Sequence, residues 1–454
     1  MKYIKLDLPI VQYIIGALLN IILIIILSSF KISYYNLQVP EGIYKENISN
    51  GSGFIVYVSQ ARNFLDYGVF GNKYVPNYER TIGYPFFLAI MMKSFGSNWL
   101  MFTFFVQALL FAAIYPTINK ILRIFFGNNK FIINGVYLFL IITGVFLIYT
   151  TVIMTDTFMT VFLTFGIYFG IQGVIKKNWI YVALQIIFIG FASQVRPILF
   201  LFGIVNCFIL YSVAKFTKIE SDRKVKGIII ISGLLILIIG NLPTLRNYIN
   251  YNLLRPASVF DDNIFKSYGT RLLREKNDTF EIDKIYSDTD TIKNLNKQLI
   301  VKREYAYQIL KQNPLASFLF ISKDAGKILL KNHIVRLANF WQYDWKEKDS
   351  TATQVPMKKS GFVFIITLLS GGINLIIIIL CCKFLFYLIR TKKYFYAFTI
   401  VFFIGYFLLP STIFFPDIRF RLPFESLMII IAFYEVQKIY ISTLNKFKGR
   451  ADLA

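Results

Sequence analysis

The sequence has little of the residue types from which disulfide frameworks and metal centres are built. Its 454 residues include three cysteines and one histidine. Cys381 and Cys382 are neighbours and poor disulfide partners, and His333 is alone, so no Cys/His spacing of the metal-binding type occurs. The sequence also lacks a glycine-rich phosphate loop and a serine or cysteine nucleophile elbow. These absences argue against a disulfide-stapled domain, a cytoplasmic nucleotide site and a nucleophile-elbow enzyme.

Acidic residues are also few, with 25 Asp and Glu against 49 Lys and Arg, which gives a net charge of +24. In a soluble protein this balance would suggest nucleic acid as a partner, but residues 9–30 (PIVQYIIGALLNIILIIILSSF) carry no charge and similar runs recur to the C-terminus. About 20 apolar residues in a helix cross the hydrocarbon core of a bilayer. The sequence therefore predicts a polytopic membrane protein with no nucleic-acid partner, whose first run is a retained signal anchor.

The apolar runs predict an all-α bundle of about ten membrane spans. No period of 20–50 residues repeats, and no inverted halves of the transporter type are present. The predicted spans are residues 9–30, 99–118, 131–149, 152–174, 179–192, 197–213, 227–242, 361–389, 394–415 and 422–441.

The Lys and Arg residues between these spans fall in alternate connections, at residues 2–5, 120–130, 176–177, 215–226, 390–393 and 446–450. Short basic loops stay cytoplasmic, so both termini are predicted to lie inside, in the plasma (inner) membrane. Two long segments then face outward. The predicted parts are a transmembrane module with the first outer loop (1–242, loop 31–98), an outer lid (243–360) and C-terminal transmembrane helices (361–454).

The second outer segment has a composition unlike that of a span. It holds thirteen of the 25 acidic residues. Its stretch REYAYQILKQNPLASFLFISKDAGKILL mixes apolar and charged residues at helical spacing, which is typical of a helix on the membrane surface or over the bundle. Asp288 and Asp290 resemble a metal-binding Asp-x-Asp pair, but their polar surroundings favour a solvated turn.

Charged residues collect at the predicted outer ends of the spans. A carboxylate inside a span needs a function or a partner, and arginine has the shape for bidentate contacts with phosphate. A ring of arginines with one or two carboxylates suits a phosphate-bearing lipid. The alternatives are that Asp156 pairs with a structural arginine and that the arginines extend to lipid headgroups. The residues are Asp156, Arg196, Arg246, Asp417, Arg419 and Arg421.

In this arrangement the chain resembles the GT-C superfamily of membrane glycosyltransferases, in the branch of the protein mannosyltransferases and lipid A aminoarabinose transferases. The matching stretches are FIVYVSQARNFLDYGVFG and ERTIGYPFFLAIMMKSFGSNW in the first outer loop, then PTLRNY and RFRLPFE. They are spread in order over nearly the whole chain. The matched residues are Tyr57, Ala61, Gly68, Arg80, Gly83, Tyr84, Pro85, Asp156, Arg196, Pro197, Arg246, Asn247, Arg419, Arg421 and Pro423.

One position departs from the family pattern. The family has its catalytic Asp about four residues before the tyrosine matched by Tyr57, where this chain has Gly53. Three explanations are open. A carboxylate elsewhere supplies the base, the acceptor differs, or catalysis has been lost. The carboxylates that could supply the base are Glu46, Asp66, Glu79 and Asp156.

The resemblance implies transfer of a sugar from a polyprenyl-phosphate donor to a glycan, lipid or protein acceptor at the extracytoplasmic face. It implies no organic cofactor and leaves a divalent metal ion open. The expected catalytic residues are Asp156, Glu79 and Asp66, and the expected substrate-binding residues are Tyr57, Arg80, Tyr84, Arg196, Arg246, Asn247, Arg419 and Arg421. The rival interpretations are a lipid-linked glycan transporter, a catalytically degenerate scaffold and a polymerase that uses a lipid-pyrophosphate oligosaccharide.

Overall fold

The structure is a computed structural model. It describes residues 7–29, 53–72, 75–76, 80–144, 149–150, 155–252, 254–257, 264–275, 279–292, 295–330, 361–414 and 418–451.

Helices dominate the part of the chain that the structure describes. A helix satisfies the backbone hydrogen bonds of an apolar run within the run itself. Up to residue 251 they are α1 (Pro9–Ser29), α2 (Gly53–Tyr67), α3 (Gly83–Phe95), α4 (Trp99–Ala112), α5 (Ile114–Phe126), α6 (Lys130–Ile142), α7 (Thr155–Lys176), α8 (Trp179–Val195), α9 (Phe202–Phe216), α10 (Arg223–Gly240) and α11 (Leu242–Tyr251). Short 3₁₀ turns at Gly96–Asn98 and Pro197–Leu201 join α3 to α4 and α8 to α9. A small antiparallel pair, β1 (Gly71–Asn72) with β2 (Val75–Pro76), follows α2.

The second half of the chain continues in the same way. A π-helical turn at Ile264–Gly269 leads into α12 (Thr270–Glu275), α13 (Thr279–Asp290), α14 (Leu295–Gln312) and α15 (Pro314–Leu330). Two long helices follow, α16 (Gly361–Arg390) and α17 (Tyr394–Phe414). A 3₁₀ turn at Ile418–Arg421 then opens the last helix, α18 (Leu422–Ala451).

Seven helical stretches of the described residues are long and apolar enough to cross a membrane, which supports the expected membrane protein of the all-helical class. They are Gly83–Phe126, Phe158–Lys176, Pro197–Phe216, Arg223–Asn250, Leu368–Arg390, Tyr394–Ile413 and Arg419–Asn445. Three further apolar helices are shorter, Pro9–Ile25, Lys130–Ile142 and Trp179–Val195. Each of the ten predicted spans overlaps one of these stretches, although Gly83–Phe126 extends well beyond the predicted span 99–118, and the count of ten crossings stays a prediction.

Residues 83–95 differ from the sequence-based expectation, which placed them in the first outer loop. They form α3, and α3 continues through the 3₁₀ turn at Gly96–Asn98 into α4. The apolar stretch YPFFLAIMM explains the difference, since it buries Tyr84, Leu88 and Ala89 in the bundle. The segment that was predicted to be the first outer loop is therefore partly a structural element of the core.

Close approaches and buried amides join the helices of the bundle. A Cβ on Gly203 of α9 would lie 2.3 Å from the carbonyl oxygen of Gly233 of α10, so these helices meet backbone to backbone. Next to them, Gln185 of α8 donates to Asn206 of α9 over 2.6 Å. Such small-residue contacts and interhelical hydrogen bonds replace the hydrophobic driving force that is missing in a lipid environment.

The segment between α11 and α16 forms a second hydrophobic cluster around Phe265, Ile285 and Phe320. Buried Asp324 anchors it, accepting from Arg271 over 3.2 Å and from Lys327 over 2.8 Å. The expectation of a turn at Asp288 and Asp290 was wrong, because both residues lie in the last turn of α13. Asp288 is exposed, as a solvated position requires.

Candidate functional site

Asp156 lies in the first turn of α7, where the positive end of the helix dipole favours a carboxylate. The residue is 2% exposed. Its Oδ1 is in direct ion-pair contact with Nη1 of Arg196, and its Oδ2 lies 3.8 Å from Nε of Arg419. One buried carboxylate therefore holds two guanidinium groups that come from distant parts of the chain.

Arg196 reaches this position because α8 ends there. Its backbone is extended (φ −138°, ψ 127°), and Pro197, which lacks an N–H, starts the following 3₁₀ turn. The hydroxyl of Tyr406 on α17 donates to the carbonyl of Ile198 and holds that turn. The guanidinium carbon of Arg196 lies 4.6 Å from the ring centre of Phe420. Phe420 also lies under Arg419, at 5.3 Å, so one ring packs against both arginines.

Arg80 is brought to the same region by the segment that leads into α3. Thr81 donates to the carbonyl oxygen of Val195 over 2.8 Å. At Gly83 the absence of a side chain permits close contact, since a Cβ there would lie 2.7 Å from the carbonyl oxygen of Gln194. The two contacts dock the Arg80 segment on the last turn of α8, immediately before Arg196.

Tyr57 of α2 lies among these groups. The guanidinium carbon of Arg80 is 5.6 Å from the ring centre of Tyr57. Burial by itself raises the pKa of the phenol. The positive charges of Arg80, Arg196 and Arg419, together with a hydrogen bond to the Thr155 side chain, outweigh burial and bring that pKa below its usual value of 10. We call Tyr57, Arg80, Asp156, Arg196 and Arg419 the arginine cluster.

Two polar side chains of α2 next to Tyr57 are buried without an internal partner. Ser59 is 3% exposed and Gln60 is 1% exposed. Among the described residues, Ser59 Oγ, Gln60 Nε2 and Arg80 Nε have no hydrogen-bond partner. Buried donors of this kind are rare in folded proteins unless a ligand or water accepts from them.

Tyr84 contributes to the wall beside the arginine cluster. Its ring meets the ring of Tyr57 edge-on, with the centres 5.5 Å apart. Its hydroxyl donates to Gln107 over 2.8 Å, and Gln107 in turn donates to the carbonyl of Thr150 over 2.9 Å. Tyr84 is fully buried, so the structure gives it a packing position from which it fixes the orientation of Tyr57.

Arg421, two residues after Arg419, lies in a different environment. It is 1% exposed and forms a two-pronged pair with Glu425, of which the Nη2–Oε1 contact is 2.9 Å. Its Nη1 donates over 2.5 Å to the carbonyl of Leu329 at the end of α15. These contacts attach α15 to α18, so the observed role of Arg421 is structural. Its predicted role in binding substrate would need a rearrangement.

The remaining predicted residues are not joined to the arginine cluster by the contacts that the structure shows. Arg246 donates to Asn247 Oδ1 over 2.8 and 3.0 Å, and buried Asn247 donates to the carbonyl of Arg255, which fixes α11. Asp66 is exposed near the end of α2. Glu79, like Glu46, Asp417 and the region around His333, lies outside the described residues.

Four residues that position the arginine cluster were not predicted in that role from the sequence. They are Thr81, Gly83, Thr155 and Phe420. Thr155 and Phe420 are direct neighbours of predicted residues, and the motif RFR offered a signal for Phe420. Nothing local marks the contact between Thr81 and Val195, which are 114 residues apart.

The cluster combines three guanidinium groups with one carboxylate and one phenol. Guanidinium forks bind phosphate and carboxylate groups, and buried donors add hydrogen bonds to the same ligand. Within the described ranges, no group of three or more His, Cys, Asp or Glu residues could hold a metal ion. Comparison with protein-family models, curated proteins and solved structures finds no match to this chain.

Proposed function

We propose that the protein transfers a sugar from a polyprenyl-phosphate donor to a glycan, lipid or protein acceptor at the extracytoplasmic face of the membrane. The observation that supports this most directly is the arginine cluster, in which Arg196 and Arg419 contact buried Asp156 and Arg80 lies beside Tyr57. A site rich in guanidinium groups suits a lipid whose headgroup is a phosphate.

The reaction chemistry explains why arginines are useful there. As the bond between the anomeric carbon and the phosphate oxygen breaks, negative charge grows on the leaving lipid phosphate. Guanidinium groups held in advance stabilise that charge more in the transition state than in the ground state. Asp156 holds Arg196 and Arg419 in position, so the acidic residue contributes preorganisation even when it accepts no proton.

The side of the membrane follows from the charge pattern of the connections. Basic residues occupy the loops at the start of α10 and between α16 and α17. The positive-inside rule supports a cytoplasmic side for those loops, and with it the proposal that the ends of α8 and α17, and the arginine cluster, lie on the outer side.

The test is binding of a polyprenyl phosphate to the purified protein in lipid nanodiscs, followed by turnover of radiolabelled polyprenyl-phosphate hexoses. Arg80→Lys, Arg196→Lys and Arg419→Lys keep the charge but lose the fork, so each should weaken lipid-phosphate binding by at least about tenfold. Arg271→Lys is the matched control, because Arg271 pairs with Asp324 in the second hydrophobic cluster. Wild-type affinity in all three cluster variants would overturn the phosphate site.

The rival functions give different results in the same preparation. A transporter would move a fluorescent polyprenyl-linked glycan across the bilayer of proteoliposomes without cleaving it. A polymerase would consume a lipid-pyrophosphate oligosaccharide and leave the monophosphate donors untouched. Release of free polyprenyl phosphate from a monophosphate donor, dependent on an acceptor, distinguishes the proposed transferase from both.

A further inference from the structure

A sugar transferase that uses an acceptor hydroxyl needs an atom that takes up the hydroxyl proton. In the GT-C superfamily, which this chain resembles, a catalytic Asp stands at the position where this chain has Gly53. In the described part of the chain, Asp156 and Tyr57 offer oxygens within the arginine cluster. Oδ1 of Asp156 is in ion-pair contact with Arg196, and its Oδ2 lies 3.8 Å from Nε of Arg419, so the contacts of this carboxylate are those of a residue that holds the two guanidinium groups in place. Asp66 lies nine residues after Tyr57 on α2, about 13 Å further along the helix axis, and is exposed.

Tyr57 has the better surroundings for a negative charge. Three guanidinium groups and the Thr155 hydrogen bond favour its phenolate, and the pKa of the phenol lies below 10 as a result. A phenolate is a much stronger base than a carboxylate, and a base is most efficient when its pKa approaches the working pH. The charged groups that act on Tyr57 are Arg80 before α3, Arg196 after α8 and Arg419 before α18. Asp156 of α7 contacts the last two of these arginines, and the other charged residues of α2 are Arg62 and Asp66.

The ring is also fixed in place. Arg80 stacks on it at 5.6 Å, and Tyr84 meets it edge-on at 5.5 Å. Tyr84 is in turn anchored by its hydrogen bond to Gln107. A phenol held on two sides keeps its oxygen in one place without reorganisation, which is the arrangement expected of a group that acts on a bound substrate.

We infer that the Tyr57 phenolate is the proton acceptor of the transfer reaction and replaces the carboxylate that this chain lacks at Gly53. This inference rests on the proposed function. In the step, the acceptor oxygen forms a bond to the anomeric carbon, and the bond from that carbon to the phosphate oxygen breaks. The lipid phosphate leaves with the electron pair among the arginines. The acceptor proton passes to Tyr57, which returns it to water before the next turnover.

The test replaces Tyr57 with 3-fluorotyrosine, which has a more acidic phenol and nearly the same shape. A ¹⁹F NMR titration of the full-length protein in nanodiscs reports the ionisation directly, with the same label at exposed Tyr67 as the reference. The Tyr57 label should ionise at lower pH than the reference. Ionisation at the same or a higher pH overturns the inference.

Turnover gives the second readout. With any polyprenyl-phosphate hexose that the wild-type protein uses, fluorination of Tyr57 should move the rising limb of the pH–rate profile to lower pH. A tyrosine with a packing role alone leaves that limb in place, and that result overturns the inference.

Tyr57→Phe separates the two proposals. The arginines remain, so polyprenyl phosphate should bind within about threefold of the wild type, while transfer falls by about 10²-fold or more. Wild-type transfer by Tyr57→Phe overturns the proton-acceptor role and leaves the transferase intact. Failure of both proteins to bind polyprenyl phosphate overturns the proposed function itself. In that case, the fluorotyrosine titration still decides whether Tyr57 ionises readily.

Discussion

Replacing Gly83 with alanine should push the Arg80 segment away from the end of α8. A Cβ at this position would lie 2.7 Å from the carbonyl oxygen and 2.8 Å from the carbonyl carbon of Gln194, and 3.0 Å from the nitrogen of Val195. All three atoms belong to the backbone, so no side-chain rotation relieves the contact. The φ of Gly83 lies outside the left-handed region, so the cost comes from the contact and not from the conformation of the alanine.

The size of the effect follows from two contributions. Overpacking of a close contact typically costs about 1–3 kcal/mol. The displacement also disrupts the 2.8 Å hydrogen bond from Thr81 to Val195, and a bond of this kind contributes about 0.5–1.5 kcal/mol. The free energy of unfolding should therefore fall by about 2–4 kcal/mol. Binding of polyprenyl phosphate should weaken as well, because Arg80 no longer lies beside Tyr57.

Thermal unfolding in detergent micelles, paired with polyprenyl-phosphate binding, measures both effects. Gly227→Ala in α10 is the matched control, since a Cβ there would meet nothing within 4 Å. Alanine is favoured over glycine in a helix by about 1 kcal/mol, so the control should be as stable as the wild type or slightly more stable. An unchanged unfolding temperature for Gly83→Ala, or the same change in both variants, would refute the close-contact reasoning.

Three further predictions concern other parts of the molecule. Arg421→Met leaves Glu425 buried without this partner and should lower the free energy of unfolding in denaturant by about 3–5 kcal/mol. The double variant Arg421→Met with Glu425→Gln should lose less, and equal losses would contradict a coupled pair. A cysteine at Asp288 should react with an impermeant maleimide applied to intact cells and one at Lys224 should not; the reverse pattern would invert the topology. The pKa of Tyr57 is lowered on folding, so the unfolded state binds more protons than the folded state at pH values between that pKa and 10. In this window the free energy of unfolding of the wild type, relative to that of Tyr57→Phe, should rise with pH. Parallel curves of unfolding free energy against pH would contradict this linkage.

The sequence predicted the elements of the fold more reliably than their contacts. Long apolar runs identify helices because their length and composition match the bilayer, and each of the ten runs overlaps an apolar helix. The assignment of residues 83–95 to a loop failed. The reason is that charged and polar residues around Arg80 hid an apolar stretch that packs against α2 and α4.

Convergence of Asp156, Arg196 and Arg419 was a reasonable expectation from their shared position at span ends. The alternative in which Asp156 pairs with an arginine also describes what the structure shows, and the two interpretations differ in whether a ligand uses the remaining positive charge. What the sequence could not reveal is the docking of Thr81 on Val195, because a hydrogen bond across 114 residues leaves no periodic signal. The same holds for the buried donors of Ser59 and Gln60.

The motif RFR shows why the type of local structure decides the role of each residue. Residues 418–421 form a 3₁₀ turn, in which successive side chains are rotated by about 120°. Arg419 and Arg421 then leave the turn in directions about 120° apart. Arg419 faces Asp156, Arg421 faces Glu425 and the end of α15, and Phe420 between them packs against Arg196. The two arginines of the RFR motif look equivalent in the sequence. Arg419 nevertheless belongs to the arginine cluster, and Arg421 joins α15 to α18. Because both residues belong to one turn, displacement of α15 would be expected to change the position of Arg419, which links α15 to the arginine cluster.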